Sequence, residues 1–140
     1  MESACAPRFS PLKLAEGADP VALGIECLCT RSWFEAHELL ELAWKHASGP
    51  RRVLLQGLIQ GAVSLEHLRR QSPRSARGQW EKARQKLLSV PEEPSEVDTL
   101  GWVAEVDRFY GNIQLDRRVE GAEGLEPLPP ESSWPTPLRR

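Results

Sequence analysis

The stretch from Val53 to Leu65, VLLQGLIQGAVSL, carries no charged side chain, and it constrains the fold more than any other part of the chain. Projected at about 100° per residue, Leu54, Leu55, Leu58, Ile59, Ala62, Leu65 and Leu68 spread around most of a helix circumference. A helix that is apolar on nearly all sides is one that other helices surround. Its polar residues are not scattered, however. Gln56, Gln60, Ser64 and His67 fall within an arc of about 80° and form one stripe. Gly57 and Gly61 border that stripe. Glycine inside a helix costs about 1 kcal/mol relative to alanine, so the pair predicts close approach of a neighbouring backbone or a ligand.

Punctuation on either side divides the chain into capped helices. Asp19-Pro20 is an N-cap followed by proline at the first helical position, and it opens a helix through about Cys29. Ser32-Trp33-Phe34-Glu35 fits a capping box, with Ser32 and Glu35 satisfying each other's exposed amides, so a second helix starts at Trp33. Gly49-Pro50 is expected to end it, and a third helix then runs from about Arg51 to Arg70. Ser72-Pro73 opens a fourth, which Pro91 stops. Val97, Leu100, Val103, Val106 and Phe109 mark a fifth over about Glu96 to Tyr110, with Gly111 at its C-terminal end.

The prediction is therefore all-α: a compact bundle of about five helices with one central buried helix. The domain organisation expected is an N-terminal extension over 1–18, the bundle over 19–111 and a Pro-rich, largely irregular tail over 112–140. That tail holds Pro127, Pro129, Pro130, Pro135 and Pro137, with Trp134 as the residue suited to dock on the body. No internal repeat is visible, which argues against a solenoid.

With 140 residues, 40% hydrophobic and 27% charged, the chain suits one modest core. A formal net charge of -2 offers no global pull toward nucleic acid or a membrane. No apolar run approaches membrane-spanning length, because Gln56, Gln60 and Glu66 interrupt the longest. The first residues lack a charged region followed by an apolar one, so the expectation is a cytoplasmic protein. Cys5, Cys27 and Cys29 have no spacing that makes a disulfide framework or a zinc site, and they read as idle thiols.

The second helix answers the stripe on the third. Trp33, Ala36, Leu40, Ala43 and Trp44 mark its apolar face, His37 sits at the edge of that face, and Glu41 flanks it one turn on. A short connection makes the two helices antiparallel neighbours. Counting away from the turn brings Glu41 level with about Gln60, and His37 level with Ser64 to His67. The candidate cluster is His37, Glu38, Glu41, Trp44, Gln56, Gln60, Ser64 and His67.

The run Phe34-Glu35-Ala36-His37-Glu38-Leu39-Leu40-Glu41, followed by Trp44, Leu55-Gln56-Gly57-Leu58-Ile59-Gln60, Ala62 and His67, closely resembles the bacterial, archaeal and plastid family named domain of unknown function 309. The resemblance covers roughly Gly24 to Leu88. It implies a compact helical bundle with one central helix ringed by others, and it implies no established activity. The family's signature residues correspond here to His37, Glu38, Glu41, Trp44, Gln56, Gln60 and His67. After His67 the chain departs from the pattern: the family's Gly-Asn is Gln71-Ser72, and a following Gly is Ser75.

The cluster can be read in several ways. As a hydrogen-bonded core network it pairs Glu41 or His37 with Gln60, because buried polar groups need partners. As a pocket it takes a small polar or anionic ligand, with Trp33 and Trp44 as walls. As a metal centre it uses His37, Glu41 and His67 to hold a divalent ion, with Glu38 as general base of a metal-dependent hydrolase. The signature lacks the second histidine of the helical zinc-protease pattern. A last alternative is association with nucleic acid through residues 69–86, where Arg69, Arg70, Arg74, Arg77, Lys82, Arg84 and Lys86 stand against only Glu81. No aromatic or glycine-rich motif accompanies that face, and charge runs are usually solvated helix surfaces. No membrane partner is expected, and self-association is left open.

Overall fold

A computed structural model describes residues 17–91, 93, 95–120 and 126–139 of the chain. Five α-helices follow one another: α1 (Pro20–Cys29), α2 (Trp33–Trp44), α3 (Gly49–Arg69), α4 (Pro73–Ser89) and α5 (Thr99–Asn112). Short 3₁₀ turns follow at Leu115–Arg117 and Glu131–Ser133. Among the described residues there is no strand, only an isolated antiparallel bridge between Val97 and Arg139. The fold is all-α, as the periodicity predicts. Of the extension expected over 1–18, residues 1–16 lie outside the described residues.

Local chemistry sets the helix ends. The Asp19 carboxylate accepts from the Val21 amide at 3.0 Å, and Pro20 occupies the first turn, where no donor is needed. α1 stops in a Schellman turn: Arg31 is left-handed (φ 64°), and the Ser32 amide donates to Cys27 O at 2.8 Å. The Ser32 hydroxyl makes no cap bond, so the hydroxyl half of the expected capping box is missing. α3 ends the same way, with Gln71 at φ 63° and the Ser72 amide on His67 O at 2.9 Å. Gly49-Pro50 does not terminate α2, which already stops at Trp44; it opens α3 instead, with Pro50 in the first turn. At the far end of the bundle, Asp98 caps α5 through Gly101 N at 3.0 Å, and Gln114, not Gly111, takes the left-handed position after the helix.

Consecutive helices pack on one another, and α3 lies at the centre. α2 runs antiparallel to it: the Trp33 end of α2 meets Val63 and His67, while Trp44 lies under the Arg52 guanidinium, 3.9 Å from the ring centre. The two α3 glycines serve packing. A Cβ on Gly57 would sit 2.7 Å from Leu87 Cδ2 of α4, and one on Gly61 would sit 2.7 Å from the Trp102 ring of α5. Between α4 and α5, Asp107 accepts from Trp80 Nε1 and from Arg84 Nε, each at 2.8 Å. α3 is not wholly enclosed, however. Arg52, Val53, Gln56, Gln60, Val63 and His67 are only half-buried, and they share one arc of the helix.

The segment 126–139 is irregular yet tied to the bundle. Trp134 is 1% exposed and stacks on Trp33, with ring centres 5.2 Å apart at 29°. Phe109 is a second aromatic neighbour, at 5.4 Å. Prolines lack an N–H, so the bundle supplies donors to the segment's carbonyls. Arg31 Nε reaches Trp134 O at 2.9 Å, Trp102 Nε1 reaches Pro135 O at 3.3 Å, and Asp98 N reaches Leu138 O at 2.8 Å. Arg118 clasps the near end by donating to Glu126 O at 3.0 Å. Among the described residues, no helix is long and apolar enough to cross a membrane.

Candidate functional site

A cleft of about 210 Å³ opens between the start of α2 and the end of α3. Trp33, Phe34 and His37 line it from α2, and Val63, Glu66, His67 and Arg70 from the other side. Their arrangement follows from helical spacing. Trp33 and His37 are one turn apart, as are Val63 and His67, so antiparallel packing brings the two histidines to one opening.

The eight residues of the sequence cluster do not converge as a group. His37 and His67 share the cleft. Glu41 stays on α2 with a carboxylate oxygen 3.6 Å from His37 Nε2, Glu38 is half-buried further round that helix, and Trp44 lies at its opposite end. Gln56 and Gln60 lie along the half-buried arc of α3, and Gln60 Oε1 is buried without a hydrogen-bond partner among the described residues. Ser64 alone is fully buried, and it faces the other way. Its hydroxyl donates to Ala76 O at 2.7 Å and lies 2.6 Å from the Tyr110 phenol. The cluster is thus not one buried core network: it divides into a cleft, an open stripe and a separate latch. Among the described residues no three His, Cys, Asp or Glu side chains gather so as to hold a metal ion, so His37, Glu41 and His67 are not brought together as a ligand set.

Glu66 is the site residue that sequence reading passed over. Its side chain is 11% exposed and accepts from Arg69 Nη2 at 2.6 Å, Arg69 Nε at 3.0 Å and Arg70 Nε at 2.7 Å. Burial raises its pKa, but the guanidinium bonds and charges outweigh this and hold the carboxyl below its ordinary range. Glu66 was legible as a carboxylate at i−3 and i−4 from two arginines on an otherwise apolar helix. Arg69 also lies within the field of Glu131 and Glu35, whereas Arg70, which lines the cleft beside Glu66, is 59% exposed.

The basic run over 69–86 is largely balanced by partners from elsewhere. Arg69 and Arg70 serve Glu66, Arg84 pairs with Asp107 at 2.8 Å, and Arg77 lies 3.6 Å from Asp116. Among the described residues, Arg74, Lys82 and Lys86 form no ion pair.

These features define a helical-bundle domain with a small half-open cleft between its second and third helices. Residues 21–79 match the family model described as Domain of unknown function (DUF309), the family that the α2 and α3 motifs resemble. Every residue lining the cleft falls within that segment; α5 and the proline-rich segment lie beyond. No curated protein and no solved structure gives a significant match.

Proposed function

We propose that the cleft between α2 and α3 binds a small anion carrying a planar apolar group. The observation that carries this reading is the meeting of His37 and His67, from facing helices, beside Arg70 and over the Trp33, Phe34 and Val63 walls. Two imidazoles and a guanidinium supply donors for a carboxylate or phosphate, and aromatic walls supply area for a ring. At 210 Å³ the space is below the ~300–1,000 Å³ of drug-sized sites, so a ligand the size of phenyl phosphate suits it. Cys27 and Cys29, both thiols, suit the reducing conditions of a cytoplasmic binding protein.

The test is an NMR titration of the histidine ring resonances with phenyl phosphate and with inorganic phosphate. His37 and His67 are expected to shift while exposed His46 does not, and phenyl phosphate is expected to bind more tightly than phosphate. Arg70→Ala should weaken binding about tenfold or more, the loss of a charge-assisted hydrogen bond. Unchanged His37 and His67 resonances at millimolar phenyl phosphate would end this reading.

A further inference from the structure

Trp33 is a wall shared by two structures. One part of the indole lines the cleft, while the ring also stacks on Trp134. The indole is 1% exposed, and its Nε1 is buried without an acceptor among the described residues. From these observations we infer that the C-terminal segment belongs to the binding site, with Trp134 as the positioning residue that sets the cleft wall through Trp33. This inference rests on the anion-binding reading above, and it adds how that site is regulated.

The physical case has three links. A buried aromatic pair at 5.2 Å and 29° leaves the Trp33 ring little freedom while Trp134 is in place, because packed interiors do not deform continuously. Trp134 is in turn held by its own segment. Its Nε1 donates to Pro129 O at 2.9 Å, and its carbonyl accepts from Arg31 Nε at 2.9 Å. Arg31 occupies the left-handed position that ends α1, immediately before the residue that precedes α2, so the anchor of the segment and the start of the cleft helix share one turn. The third link is the cleft itself. Trp33 is one of its walls, so an aromatic ligand packed there would meet an indole whose position Trp134 sets. Two sites that bias one side chain are thermodynamically coupled, and the coupling is reciprocal: docking of the segment favours the ligand, and the ligand favours docking.

Trp134 lies outside the segment 21–79 that matches the family, whereas every cleft-lining residue lies within it. The control is thus a feature that the C-terminal part of this chain adds to the matched unit.

The experiment uses the full chain and phenyl phosphate. Arg31→Ala removes the Trp134 carbonyl's donor without touching the cleft; Trp134→Leu removes the stacking ring and Trp134→Phe retains an aromatic one. Gly57→Ala, which crowds Leu87 of α4, away from both the cleft lining and the C-terminal segment, controls for general destabilisation. Arg31→Ala and Trp134→Leu are expected to weaken phenyl phosphate binding about tenfold, within the usual range of coupling between sites. Trp134→Phe should restore most of the affinity, and Gly57→Ala should leave it unchanged. In wild type, saturating phenyl phosphate should slow hydrogen exchange at the Trp134 indole. If Trp134→Leu does not fold, Arg31→Ala and the exchange measurement decide. Equal affinity in wild type and Arg31→Ala, with no change in Trp134 exchange, overturns the coupling while leaving the binding reading intact. Absence of phenyl phosphate binding in wild type removes both.

Discussion

The Ser64 hydroxyl lies 2.6 Å from the Tyr110 phenolic oxygen, joining α3 to α5 where both side chains are buried. Ser64 has one O–H and donates it to Ala76 O, so the Tyr110 O–H is the donor between them. Burial raises the phenol's pKa far above its ordinary value, which keeps that proton in place. Ser64→Ala leaves the phenol without its acceptor and should cost about 1–3 kcal/mol in urea unfolding, while Tyr110→Phe should cost less, about 0.5–1.5 kcal/mol. The double variant should lose less than the sum of the two. Additive losses would show that the bond contributes nothing.

The α3 glycines are predicted to resist alanine despite its better helix propensity. At Gly61 the new methyl would sit 2.7 Å from Trp102, a ring wedged against Trp80 at 6.0 Å between centroids. Gly61→Ala should therefore lower stability by about 1–3 kcal/mol, because overpacking exceeds the propensity gain of about 1 kcal/mol. A rise in the thermal midpoint would contradict the packing role of this position.

Gln71 offers the opposite case. It is exposed, has φ 63°, and its side chain makes no hydrogen bond or ion pair among the described residues. Gln71→Gly should stabilise the chain by about 0.5–1 kcal/mol, since glycine adopts the left-handed region without steric cost but loses more entropy on folding. Arg31→Gly, at the equivalent turn of α1, should instead be neutral or destabilising because it forfeits the bond to Trp134 O. Calorimetry on the two variants reads the contrast.

Glu66 makes the fold acid-sensitive. Its carboxyl titrates below the ordinary 4.5 when folded, so its contribution is fully present above the unfolded value and is lost as pH falls through the folded one. Wild-type stability should decline steeply below about pH 4.5, and Glu66→Gln should flatten that decline while costing about 1–3 kcal/mol at pH 7. Parallel pH curves for the two proteins would refute the assignment to Glu66.

Much of the fold was written in short-range chemistry. Asp19-Pro20 and Ser72-Pro73 mark the starts of α1 and α4, and the apolar period of Val53 to Leu68 marks α3, because caps, proline and hydrophobic spacing act within a turn or two. The same logic misplaced the role of Gly49-Pro50 and the cap bond of the Ser32 hydroxyl. Proline suits a helix start as well as a stop, and the Ser32 amide also serves the turn that closes α1. Within the candidate site, antiparallel counting placed His37 near His67, and both line the cleft. It also placed Ser64 on that face, whereas Ser64 lies past the edge of the half-buried arc and meets Tyr110.

The sequence alone determines the all-helical class, the central place of α3 and the family motif, since each depends on residues close together along the chain. Tertiary structure decides what the charge-free stretch from Val53 to Leu65 is packed against. Gly57 and Gly61 seat Leu87 and Trp102, Ser64 meets Tyr110, and one arc stays half-open to the cleft. It also decides that Trp134 backs Trp33 from 101 positions away (134 − 33). No local signal encodes such a pairing, because stacking energy rewards proximity in space and is blind to separation along the chain.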